Sequence, residues 1–128
     1  MAEHTEAVAS PSPLGPVLSS RQFWDLMERW NIPDGTALDL IEFPGKLGKS
    51  GKRPRFRFTT RQQRITSYLR EIDAALAAAG KTPSWLHQRA FGHRTPIEHM
   101  VAQGLCGMAD ALQLLNRIAL RAAVKGDR

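Results

Sequence analysis

Apolar residues recur at helical spacing along most of this chain, and the stretch where the recurrence fails is as informative as those where it holds. Phe23, Trp24, Met27 and Trp30 stand three and four apart, which predicts a first helix from Arg21 to about Trp30, capped by Ser19 or Ser20. Asn31-Ile32-Pro33-Asp34-Gly35 ends it with turn chemistry. Asp34 is then expected to cap a short second helix, roughly Thr36 to Glu42, that buries Ala37, Leu38 and Ile41. The longest apolar stripe joins Ile65, Tyr68, Leu69, Ile72, Ala75, Leu76 and Ala79. Thr59 and Thr60 open that helix, with Gln62 or Gln63 at the capping-box position, and Gly80 stops it.

Two further helix starts are Thr82-Pro83 and Thr95-Pro96. In each, the threonine hydroxyl can accept an orphan backbone N–H, and proline takes the first helical position, where its missing donor costs nothing. Thr95-Pro96-Ile97-Glu98 is also a capping box. The short helices these signals begin are broken at Gly92 and Gly104. Gly107 precedes a last helix, Met108 to about Val124, with Ala111, Leu112, Leu115, Ile118, Ala119 and Ala122 facing inward. The fold class is therefore mainly α: a small multi-helix bundle with a basic extended segment or short ribbon between the second and third helices.

That segment is where the helical period disappears. Pro44 to Arg53 carries glycines at 45, 48 and 51. Gly48-Lys49-Ser50 matches the end of a phosphate-binding P-loop, but the motif's other glycine would fall at Phe43 and no strand precedes it, which excludes that reading. Arg53-Pro54-Arg55-Phe56-Arg57-Phe58 alternates strictly. Extended, it would turn Arg53, Arg55 and Arg57 outward while Phe56 and Phe58 pin it to the core. The formal charge of the 128-residue chain is +6, and the excess is local. Nine basic residues and no acid lie between Phe43 and Arg70, against nine basic and twelve acidic elsewhere. Such a field favours a polyanion or an acidic protein surface as partner.

Composition narrows the rest. Residues 1–19 hold Pro11, Pro13 and Pro16, two acids and no cation, and are expected to form a disordered tail. Residues 20–58 form an N-terminal helical pair plus the basic segment, and residues 59–128 a second helical unit. A single cysteine, Cys106, cannot form an intrachain disulfide; with no signal peptide visible, a cytoplasmic protein is expected. No apolar run suffices to span a bilayer, so no membrane partner is expected. His87, His93 and His99 are six apart, a spacing that puts no two on one helical face, so no metal site is assigned. Cys106 reads as a small core residue and Glu98 as a capping carboxylate. No catalytic motif or paired catalytic carboxylates appear, so neither an enzyme nor a cofactor is expected.

One ordered set of residues is more specific. Trp85-Leu86-His87-Gln88, then Phe91-Gly92-His93-Arg94-Thr95-Pro96-Ile97-Glu98-His99-Met100, Gly104 and Ala111 to Ile118 together resemble the toxin-binding domain of the Xre/MbcA/ParS antitoxins, over roughly Thr60 to Val124. The resemblance implies an antitoxin of a type II toxin–antitoxin system whose partner is a RES-domain toxin that consumes NAD. It also implies that the C-terminal helix packs on the toxin, with Leu114, Arg117, Ile118, Arg121, Lys125 and Arg128 as contact residues. The tail would then meet acidic catalytic groups or lie across the pocket entrance. A homo-oligomer is the expected state. Many relatives carry a helix-turn-helix ahead of this domain. Here Trp24 to Ile41 offers two helices, but the basic stretch stands where the recognition helix should follow. The alternative reading is a transcriptional regulator that binds operator DNA through the basic segment 46–64. Lys49, Arg53, Arg55, Arg57 and Arg61 would then contact mostly phosphates.

Overall fold

The computed structural model describes residues 18–45, 53–54 and 56–126; the side chains of residues 125 and 126 are left aside. It is mainly helical, as expected. The helices are α1 (Ser20–Arg29), α2 (Asp34–Leu40), α3 (Thr60–Ala78), α4 (Pro96–Gln103) and α5 (Leu105–Gly126), with a short 3₁₀ segment at Pro83–His87. No strand forms among the described residues; one isolated bridge pairs Phe91 with Arg94 around the turn at Gly92.

Three helices begin with a reciprocal capping box. Ser19 and Gln22 open α1, Thr59 and Gln62 open α3, and Thr95 and Glu98 open α4. In each, the N-cap oxygen accepts the N–H three residues on, at 3.1 Å. The answering side chain accepts the cap's own N–H, at 2.8–2.9 Å. Two of the four orphan donors at each helix start are thereby satisfied. Gln62 has a second role: its amide donates to the Ile41 carbonyl at 3.1 Å, tying the start of α3 to the end of α2.

Helix ends share one device as well. After α1, α2 and α3 the chain turns through a left-handed residue: Asn31 (φ 57°), Glu42 (φ 55°) and Gly80 (φ 69°). At each, the next N–H reaches back five residues: Ile32 to Met27, Phe43 to Leu38 and Lys81 to Leu76. These are Schellman closures, which satisfy the last carbonyls of a helix.

One hydrophobic cluster runs through residues of every helix. Phe23, Met27 and Trp30 of α1, Leu40 of α2, Ile65, Leu69 and Ile72 of α3, Met100 of α4 and Met108, Ala111 and Leu115 of α5 are all buried in it, as is Leu86. Polar contacts fix α1 against this core. Asp73 on α3 accepts the Trp30 indole N–H at 3.0 Å and an Arg29 N–H at 2.7 Å. The Trp30 carbonyl accepts His87 Nε2–H at 2.7 Å.

Several sequence expectations need correction. The Thr82 hydroxyl caps no backbone donor; it pairs with Ser84 Oγ at 2.6 Å, and only a 3₁₀ turn forms, enough to bury Trp85 and Leu86. Asp34 is the first residue of α2 rather than its cap, because its carboxylate is taken up by Arg53. The last helix begins at Leu105, not Met108, and so contains Gly107. A Cβ there would lie 2.6 Å from the His99 carbonyl oxygen and 3.0 Å from Met100 Cα. Gly107 is thus a point of close approach between α4 and α5 rather than a helix boundary. With the helix in that phase Cys106 is exposed, not a core residue, and so is Ala122.

Candidate functional site

Two surfaces inherit the sequence-derived candidates, and they differ in what the fold leaves open. The first is the basic segment. Phe56 and Phe58 do anchor it. Their rings meet at 5.1 Å, Phe43 joins Phe56 at 4.9 Å and Phe23 joins Phe58 at 6.1 Å, all half-buried or buried against the core. Arg53 does not face outward. Its Nη1 donates to Glu28 at 2.7 Å and its Nε to Asp34 at 3.2 Å, and its guanidinium lies 5.1 Å from the Trp24 ring centroid. The hydrogen bonds it donates to Asp34 and then to Glu28 push its pKa above the usual arginine value.

Arg61 is likewise committed. It pairs with Glu42 through Nε and through Nη2, the latter at 3.0 Å. That hydrogen bonding raises the Arg61 pKa and holds the Glu42 carboxyl below its ordinary range. Of the five nucleic-acid candidates, then, Arg53 and Arg61 already have carboxylate partners, which weakens their call on phosphates. Arg57 is exposed and forms no ion pair with a described residue. Lys49 and Arg55 lie outside the described residues.

The second surface is the end of α5. Its first half is enclosed: Met108, Ala111 and Leu115 are fully buried, and Leu112, Leu114, Ile118 and Ala119 pack partly against the core. After Ala119 that contact ends. Residues 120–124 are all exposed, so more than one full turn of helix runs on past the core. It is not a polar turn. Leu120 is 67% exposed and Val124 63%, and Ala122 and Ala123 accompany them. Arg117 and Arg121 are exposed on the same stretch, and no acid occurs between Ala111 and Lys125.

The partner-contact candidates therefore divide. Arg117 and Arg121 are free at the surface, whereas Leu114 and Ile118 are half-buried and partly spent on the core. Lys125 ends the helix with its side chain not described, and Arg128 lies outside the described residues. Leu120 and Val124 were missed. The signal for them was present: they are four apart and out of phase with the inward stripe, so a helix that kept Leu115 inside had to turn them outward.

The other candidate chemistry has structural explanations. His99 Nε2–H donates to Asp110 at 2.8 Å, and its ring stacks on Phe91 at 4.3 Å, so it fastens α4 to α5. Among the described residues no group of three His, Cys, Asp or Glu side chains gathers as a metal site would require. None of their helices is long and apolar enough to cross a membrane. Comparison of the chain with protein-family models, with curated proteins and with solved structures gives no match in any of the three.

Proposed function

We propose that this chain is an inhibitory interaction module, an antitoxin that neutralises a RES-domain, NAD-consuming toxin by laying the end of α5 and the residues after it over the toxin's active site. The observation that carries the reading is the unpartnered apolar turn at Leu120 and Val124, flanked by Arg117 and Arg121. An exposed apolar stripe on a helix is suited to a complementary groove, read through anchors at i and i+4. The cations define the partner further. With no acid between Ala111 and Lys125, a second copy laid along this turn would set arginine against arginine, whereas an acidic surface around an apolar socket would be attracted. The resemblance of Trp85 to Ile118 to the Xre/MbcA/ParS domain supplies the class of partner; occlusion needs no chemistry from this chain.

The test is growth rescue. Co-expression with the RES-domain toxin encoded beside its gene should protect cells, and Leu120→Glu with Val124→Glu should abolish protection while the purified variant stays folded. Full protection by the double variant, or the lack of a RES-domain reading frame next door, would refute the proposal. Lys49→Glu with Arg57→Glu separates the operator-binding alternative: it should leave rescue intact, and only a DNA-binding regulator would lose function.

A further inference from the structure

A cleft of about 940 Å³ opens between the start of α1 and the stretch that holds Pro54, Phe56 and Arg57. Its lining includes Ser20, Arg21, Trp24, Pro54, Phe56 and Arg57. The volume falls in the range of small-molecule sites, which combine apolar walls with a few convergent polar groups. The composition of the walls is what singles this cleft out. Trp24, Pro54 and Phe56 give one apolar side, held in place because the Trp24 indole N–H donates to the Pro54 carbonyl at 3.2 Å.

Three guanidiniums border the same space, and they are not equivalent. Arg53 is held by Glu28 and Asp34 and serves as part of the wall. Arg21 and Arg57 are exposed, line the cleft and form no ion pair with any described residue. They stand on separate segments, so a ligand between them would be gripped from two sides. Asp25, one turn along α1 from Arg21, also borders the cleft and penalises a ligand whose anion lies near it.

We propose that this cleft binds a small organic phosphate, a phosphomonoester carried on a flat or apolar body such as a nucleoside monophosphate. A phosphomonoester carries close to two negative charges at neutral pH and three acceptor oxygens, matching two uncommitted guanidiniums. Its organic body lies against Pro54 and Phe56. The site is distinct from the end of α5 and independent of the partner reading: a ligand here meets α1 and the stretch that holds Pro54, Phe56 and Arg57.

The experiment is a titration of adenosine monophosphate into the isotope-labelled full chain, followed by amide and indole resonances. Saturable shifts are expected at Arg21, Phe56, Arg57 and the Trp24 indole. Arg21→Glu and Arg57→Glu should each weaken binding on the order of tenfold or more, with circular dichroism unchanged. Asp25→Asn should tighten it several-fold. Arg89→Glu, the same charge change at an exposed site elsewhere, should alter it little. Three results would overturn the proposal: no saturation, equal weakening by the Arg89 variant, or inorganic phosphate binding as tightly as the nucleotide.

Discussion

The two halves of α5 are built from similar residues and do opposite things. From Leu105 to Ala119 the helix is wedged between α3 and α4, with Met108, Ala111 and Leu115 fully buried and Gly107 pressed against the His99 carbonyl. From Leu120 to Val124 the same helix, still rich in alanine and aliphatic residues, is exposed throughout and adds nothing to the core. Helical propensity alone does not separate these halves. What separates them is a neighbour. Short isolated helices are marginal in water and draw most of their stability from packing an apolar face, so an apolar turn projecting beyond the core is the stretch that a complementary surface would stabilise.

Perturbations should divide along that boundary, and the largest belong to the enclosed half. Leu115→Ala removes a fully buried side chain from a close-packed site and should cost about 2–5 kcal/mol of unfolding free energy, read by chemical denaturation. Gly107→Ala drives a methyl group into the His99 backbone and should cost about 1–3 kcal/mol as α4 and α5 are pushed apart. A near-neutral Gly107→Ala would mean that the two helices are not in close approach.

An intermediate effect is expected from pH. The Glu42 carboxyl is held below its ordinary range by hydrogen bonding to Arg61. Its contribution to stability is therefore fully present above the ordinary glutamate pKa and is lost as pH falls through the lowered value. Both groups sit near the surface, so the effect should be small and should fade with added salt. Comparing wild type with Arg61→Gln between neutral and strongly acidic pH reads it: the stability difference should vanish at the acidic end. Smallest of all, Leu120→Gln with Val124→Gln should move the stability of the free protein by less than about 0.5 kcal/mol.

How much of this was legible beforehand follows the range of the interactions. Capping and closure are local, and Ser19, Thr59, Thr95 and Gly80 could be placed from neighbours within a few residues. The fate of Arg53 could not, because its carboxylates stand 25 and 19 positions away; local alternation predicted an outward guanidinium, and tertiary pairing drew it back. Gly107 was misread for a related reason. In sequence a glycine before an apolar stripe looks like a boundary, and only the packed α4 backbone reveals that a Cβ has no room. Cys106 then followed from the wrong starting phase. For the projecting turn, the period identified an inward stripe but not the point at which the core beneath it ends; that point is set by the length of the facing helices.

The most direct measurement is the affinity of the full chain for a RES-domain toxin, the partner class proposed above, compared with that of the Leu120→Glu, Val124→Glu double variant. The expected result is a tight complex with the wild-type chain and at least a hundredfold weaker one with the variant, both chains unfolding at the same denaturant concentration. Equal affinities, or a complex lost only when Lys49 and Arg57 are reversed, would contradict a docking role for the exposed end of α5.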